Sequence, residues 1–346
     1  MEIVNHNQAK EHLKKCYAVK EPCFLWGTFG IGKSAIVKEV TDDLGISLID
    51  IRLTQLEPSD LRGLPIIDKE TNTTKWLIPN WLPSDKNSKG ILFLDELNLS
   101  IPSIQASCYQ LICDRRIGDY VLPDGWIIVS AGNRAEDRAN IFELPSPLAN
   151  RFSQHLELRI PSVYEWVKWG TTNGKSIDSR ILAFLSFKQN VLFHFDRNSK
   201  DKAIATPRSW EKCSKLISDL TDKDLEFIER LVSGCVGESI SVEFLAFLKL
   251  HKTIDLNEII KNPEKVKEIT ELDLKYVVVS GISEIYRTKK SKELLDNIFS
   301  IATFLEPEFS VLLLRFIKGI DENYFNKNSV NSKIWGDLAK RLNKFF

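Results

Sequence analysis

The chain has 346 residues, 43% hydrophobic and 27% charged, which is long enough for two or three domains and too apolar for a disordered segment. Forty-seven basic residues balance 47 acidic ones, and this zero net charge argues against a general binder of nucleic acid or of anionic membranes. The first twenty positions carry Glu2, Lys10, Glu11, Lys14, Lys15 and Lys20, and no apolar run approaches the roughly 20 residues that span a bilayer. Six cysteines, at 16, 23, 108, 113, 213 and 235, show neither C-x-x-C nor Cys/His zinc spacing. The expectation is a cytoplasmic protein with reduced thiols, no signal peptide and no membrane partner.

In chain order, residues 4–18 are predicted helical, with Ala9, Leu13, Cys16 and Tyr17 on one face. Cys23-Phe24-Leu25-Trp26 reads as a short buried strand. It leads into Gly27-x4-Gly32-Lys33-Ser34, the full phosphate-binding loop pattern. The predicted nucleotide-binding segment is Gly27, Thr28, Phe29, Gly30, Ile31, Gly32, Lys33, Ser34 and Ala35. Its backbone N–H groups cradle phosphate oxygens, and a helix starting near Lys33 adds its positive dipole end. Lys33 reaches the outer phosphates and Ser34 offers a hydroxyl to Mg²⁺. Ile36, Val40 and Leu44 continue at helical spacing, with Gly45 as the stop. A second Gly-Lys-Ser at 174–176 has Trp169 where the first Gly belongs and no strand before it, and reads as a loop.

Ile46–Leu53 is predicted as the next strand, 57–63 as a short helix, and 64–82 as an inserted hairpin. Gly90–Glu96 is the clearest buried strand. Pro102 opens a helix with Ile104, Cys108, Leu111 and Ile112 on one face, and Arg116–Gly125 reads as a second hairpin. Trp126–Ala131 is a further strand, closed by Gly132-Asn133. A Pro-punctuated helix over 144–151 precedes a last strand over 154–160. Strands alternating with helices predict an α/β class: a phosphate-loop parallel sheet with helices on both faces.

After Pro161 only helical periodicity remains, as in Ile181/Phe184/Leu185, Phe227/Ile228/Leu231/Val232, Phe244/Leu245/Leu248, Leu294/Ile298/Ile301/Leu305, Leu312/Phe316 and Trp335/Leu338/Leu342. The expected organisation is an α/β nucleotide-binding domain over 1–160, an all-α lid over 161–260 and a helical C-terminal extension over 261–346. Residues 188–215 and 315–346 each carry seven Lys/Arg against three acids. A solvated face or oligomer contact is favoured over nucleic-acid binding for both.

Asp95-Glu96 ends a buried strand at the carboxyl edge of the sheet, where open α/β folds bind ligands. The first carboxylate suits Mg²⁺ and the second an attacking water. Phosphoryl transfer needs this positioning and charge neutralisation rather than a covalent nucleophile. Asn133, closing the next strand, is placed to contact the γ-phosphate or the water. Arg151 in Leu148-Ala149-Asn150-Arg151-Phe152 and Arg208 in Thr206-Pro207-Arg208-Ser209-Trp210 are cations able to neutralise the γ-phosphate.

Taken in order, these segments resemble the AAA+ ATPases, specifically MoxR-like members of the helix-2-insert group. Gly27–Ser34 resembles Walker A and Leu92–Glu96 Walker B. Asn133 resembles sensor 1, Arg151 the arginine finger and Arg208 sensor 2. Residues 57–82 resemble the helix-2 insert and 116–126 the hairpin before sensor 1. The family's loop often has Pro where Thr28 and Phe29 stand, and nothing after about residue 260 is matched. The resemblance implies an ATP- and Mg²⁺-dependent enzyme in a ring, expected to be a hexamer, with Arg151 reaching the ATP of a neighbour. It also implies chaperone-like work on a von Willebrand factor A-type protein partner. Tyr120, Trp76 and Trp81 are candidate contact residues on the hairpins, with packing onto the core the favoured reading. A McrB-like, GTP-using motor on nucleic acid and a non-hydrolytic nucleotide switch are the alternatives.

Overall fold

The apolar runs of the first half assemble into one six-stranded parallel sheet. The computed structural model describes every residue except 71, 138–141, 173–176, 197–200, 222, 331 and 344–346. Two compact units result, Met1–Ile160 and Pro161–Phe346.

In the first unit, β1 (Glu2–Val4) precedes α1 (His6–Val19), β2 (Cys23–Trp26), α2 (Lys33–Leu44) and β3 (Ser47–Arg52). Then come α3 (Pro58–Arg62), β4 (Leu64–Asp68), β5 (Thr73–Leu77), β6 (Lys89–Asp95) and α4 (Pro102–Asp114). The unit closes with β7 (Arg116–Ile117), β8 (Tyr120–Val121), β9 (Gly125–Gly132), α5 (Ser146–Ala149) and β10 (Gln154–Leu158). The sheet order is β1-β10-β2-β9-β6-β3, and every pairing in it is parallel. Periodicity did not reveal β1. Three residues are too few for an alternation to register, and the helix expected from residue 4 starts at His6. There Asn5 caps it, accepting from the Gln8 amide while the Gln8 side chain accepts from the Asn5 amide.

Ile91, Leu92, Phe93 and Leu94 of β6 are wholly buried, as expected for a strand covered on both faces. Ile104, Cys108, Leu111 and Ile112 of α4 share one cluster with Leu92, Leu94, Ile128 and Phe24. Helices α1 and α2 pack against each other, α2 touching β3 and β6. All six cysteines are free thiols, and burial raises that of Cys108 to about 12.

The two hairpins differ. In β4–β5, Leu64, Ile66, Ile67, Trp76 and Leu77 are all exposed. In β7–β8, Tyr120 is buried and its hydroxyl donates to the Pro83 carbonyl at 2.9 Å. Burial lifts that phenol to about 12. The Trp81 indole donates to the Asp60 carbonyl at 3.1 Å. Of the three aromatic contact candidates, Tyr120 and Trp81 therefore brace the fold and Trp76 stays in solvent.

The second unit contains α6 (Val163–Gly170), α7 (Ser179–Phe187), α8 (Pro207–Ile217), α9 (Leu225–Val236), α10 (Glu238–Lys249) and α11 (Leu256–Lys261). It continues with α12 (Leu272–Thr288), α13 (Lys292–Phe304), α14 (Pro307–Ile320), α15 (Glu322–Ser329) and α16 (Lys333–Leu342). One hydrophobic cluster runs from Val163 to Leu342, and residue 260 lies inside α11. Phe227, expected on the inner face of α9, is exposed, whereas Ile228 and Val232 are buried. It sits one residue, about 100°, off that stripe. The Gly174-Lys175-Ser176 loop lies outside the described residues.

Arg180 is a buried cation in this core. Its guanidinium holds Asp178 at 2.7 Å and donates to the carbonyls of Ile217, the last residue of α8, and of Leu220 beyond it. It thereby satisfies helix-end acceptors that water cannot reach. Arg180→Ala leaves the Asp178 carboxylate buried and unpaired, and is expected to destabilise the unit by about 3–5 kcal/mol. Urea unfolding followed by far-UV circular dichroism checks this.

Candidate functional site

The loop between β2 and α2 keeps three glycines in backbone that side chains rarely adopt, with φ of 154° at Gly27, 71° at Gly30 and 102° at Gly32. At Gly27 a Cβ would also come within 2.9 Å of Ile31 Cδ1 and 3.0 Å of the Leu158 carbonyl. Gly32 is the N-cap of α2, so the helix opens at the residue before Lys33. The buried Lys33 ammonium donates to the carbonyls of Gly27 at 2.6 Å and Thr28 at 2.9 Å, and to Asn133 Oδ1 at 2.8 Å. A cation is thus held among oxygens at the mouth of the loop.

Ser34 Oγ donates to Asp95 Oδ2 at 3.1 Å, joining the start of α2 to the end of β6. Asp95 Oδ1 accepts from the Glu96 amide at 2.9 Å. Glu96 itself has φ 62° and ψ 33°, a left-handed conformation costing a non-glycine residue about 1–2 kcal/mol. Such outliers gather at functional sites. Its carboxylate accepts from the Thr54 hydroxyl. Burial first, and then the Asp95 charge, raise the Asp50 carboxyl above its ordinary value.

Asn133 is fixed by Asn98, whose Oδ1 accepts from the Asn133 amide at 3.1 Å and whose Nδ2 donates to its carbonyl at 2.8 Å. Gly132 is required beside it, because a Cβ there would lie 2.4 Å from Asn98 Oδ1. Gly132→Ala is expected to cost about 1–3 kcal/mol by overpacking. A lowered midpoint in thermal unfolding would register it.

Lys33, Ser34, Asp95 and Asn133 thus converge at the carboxyl ends of β2, β6 and β9. Among the described residues, no group of three or more His, Cys, Asp or Glu side chains gathers around a point. One hydroxyl and one carboxylate suit Mg²⁺, which keeps most of its waters. Thr28 Oγ1 is buried in the loop with no hydrogen-bond partner. A buried hydroxyl left over, a caged ammonium and a glycine-only cradle fit a bound phosphate chain.

Residues 23–160 match the model of the ATPase family associated with various cellular activities (AAA). This segment resembles an AAA ATPase domain. Midasin of Giardia intestinalis is 29% identical over 164 residues, 45% of this chain. The match spans 3% of Midasin's length. Among solved structures, the RuvB Holliday junction branch migration motor of Thermotoga maritima aligns at 18% identity and a TM-score of 0.40, covering 74% of each chain. A variant of the same motor aligns at 16% identity and a TM-score of 0.43, covering 80% of this chain and 89% of that one.

Within this segment, Arg151 stands apart from the convergent group. It is exposed just beyond α5, a helix of four residues where 144–151 was expected. Its neighbours are on α4. A hydrogen bond with Tyr109 holds its pKa above the ordinary arginine value, with Cys113 a lesser cause. Arg208 belongs to the second unit, exposed at the second residue of α8, where the Thr206 hydroxyl caps the helix. Ile31 is buried, and Ala35 is exposed on the first turn of α2.

Three neighbours of the site escaped the sequence reading. His6 Nε2 donates to the Ile31 carbonyl at 2.7 Å, so α1 braces the phosphate loop from 25 residues upstream. Thr54 and Asn98 hold Glu96 and Asn133. Asn98 was readable as a polar residue in the turn after Asp95-Glu96. Nothing in the sequence marks His6 or Thr54.

Proposed function

We propose that the chain hydrolyses ATP with Mg²⁺ in a site completed by a neighbouring copy, and uses the turnover to remodel or activate a protein partner. The observation that carries the first part is the convergence of Lys33, Ser34, Asp95 and Asn133 on one strand edge beside the unpartnered Thr28 hydroxyl. Lys33 and the loop amides bind phosphate oxygens. Ser34 and Asp95 hold Mg²⁺, which would neutralise charge on those oxygens and orient them. Glu96 orients and deprotonates the attacking water, and Asn133 positions it. Arg208 reports nucleotide to the helical unit.

The assignment of Arg151 to a neighbour rests on its exposure and on its surroundings on α4. A ring follows from that assignment, since head-to-tail contacts that close make rings. A hexamer, MoxR-like membership and a von Willebrand factor A-type partner rest on the order of the motifs, and cytoplasmic localisation on the charged residues near the start and the scattered cysteines. No helix among the described residues is long and apolar enough to cross a membrane. The test is single-turnover ATP hydrolysis across a range of protein concentrations. The rate per chain is expected to climb with assembly, and a concentration-independent rate contradicts the shared site.

A further inference from the structure

Trp26 closes β2 one residue before Gly27, and its indole N–H donates to His155 Nδ1 at 3.0 Å. His155, on β10, has its Nε2 2.8 Å from the Ala149 carbonyl. An indole only donates, so Nδ1 must carry the lone pair and Nε2 the proton. A single neutral tautomer satisfies both bonds. Ala149 ends α5, two residues before Arg151.

Rings reinforce the link. Phe24 stacks on Trp26 at 4.1 Å and on His155 at 5.8 Å. Phe152, buried and directly after Arg151, meets Phe24 edge-on at 5.1 Å and His155 at 5.9 Å. Arg151 is therefore bracketed by Ala149, tied through His155 to Trp26, and by Phe152, which packs on Phe24 of the strand that leads into the phosphate loop. The Phe24 ring also closes on Gly132, where a Cβ would sit 3.0 Å from Phe24 Cζ, next to Asn133.

The geometry points to Trp26 and His155 as a relay between the nucleotide loop of one chain and the arginine that chain offers its neighbour, with His155 a positioning residue for Arg151. This rests on the reading that Arg151 acts in trans. Hydrogen bonds are directional, so a shift at the end of β2 moves the imidazole and, through Nε2, the Ala149 carbonyl. The Arg151 turn is set by the same strand whose loop holds phosphate. A misplacement of about 1 Å in a group stabilising a transition state costs up to roughly 100-fold.

His155→Phe keeps a stacked ring and removes both hydrogen bonds. It is expected to leave ATP affinity unchanged and to lower turnover of the assembly roughly 10- to 100-fold. The defect should be one of arginine donation. Adding Glu96→Gln subunits, which keep an intact Arg151, should restore hydrolysis by His155→Phe subunits. His155→Gln, with an acceptor and a donor on one amide, should recover part of the loss. Trp26→Phe, which loses only the indole N–H, should show the same donor-side defect should His155→Phe fold poorly. The control mixes Arg151→Ala with Glu96→Gln. If the control recovers activity while the His155→Phe and Trp26→Phe mixtures do not, or if those variants lose ATP affinity, the relay is overturned and the shared site stands. If the control itself stays inactive, the trans reading falls and the relay falls with it.

Discussion

Replacing Arg151 by alanine is expected to lower ATP hydrolysis by the assembled protein about 10³- to 10⁵-fold, the range a trans arginine supplies in phosphoryl transfer. ATP affinity should barely change, because the exposed guanidinium is held by Tyr109 and Cys113 of α4. Arg151→Lys should rescue little. A lysine supplies the charge but not the planar fork that meets two oxygens at once. Steady-state turnover and fluorescent-nucleotide titration, run on the same preparations, separate the two quantities. A variant with wild-type turnover removes Arg151 from the chemistry, and one that loses binding places its role in its own subunit.

Glu96→Gln is expected to bind ATP normally and to hydrolyse it about 10²- to 10⁴-fold more slowly, the contribution of a positioned general base. The amide preserves the side chain's shape and its acceptor for the Thr54 hydroxyl, so the loss is chemical rather than structural. Asp95 and Ser34, the pair proposed to hold Mg²⁺, are untouched. A single-turnover burst at the wild-type rate contradicts the role. The opposite signature is expected from Lys33→Ala. Removing the ammonium empties the cage formed by the Gly27 and Thr28 carbonyls and Asn133, so binding falls before chemistry can be measured.

Both expectations started from residues legible in the sequence, because the phosphate loop and Asp95-Glu96 are local patterns. A glycine at a positive φ or a carboxylate at a strand end is dictated within a few residues. The parallel sheet was legible for the same reason, since each buried strand announces itself as an apolar run. What stayed hidden depends on partners far along the chain. His6 meets the loop from 25 residues away, Trp26 meets His155 across 129, and Asn98 meets Asn133 across 35. No spacing rule relates such pairs. Strand β1 was missed because its pairing with Leu156–Leu158 cannot be seen from three residues. Tyr120 and Trp81 pack onto the fold, the favoured reading of the hairpin aromatics, but the acceptors for their polar groups, the carbonyls of Pro83 and Asp60, could not be read from spacing.

In the proposed site one chain supplies the loop, the Mg²⁺ ligands and the water-activating acid, and another supplies the arginine. Mixing Arg151→Ala with Glu96→Gln chains tests this division most directly, because each is inactive alone for a different reason. Steady-state ATP hydrolysis is measured as the ratio of the two is varied at fixed total protein. Turnover is expected to be absent at both ends and highest between them, where Glu96→Gln subunits lend Arg151 to neighbours that retain Glu96. Mixtures that form common assemblies yet remain inactive at every ratio would contradict it.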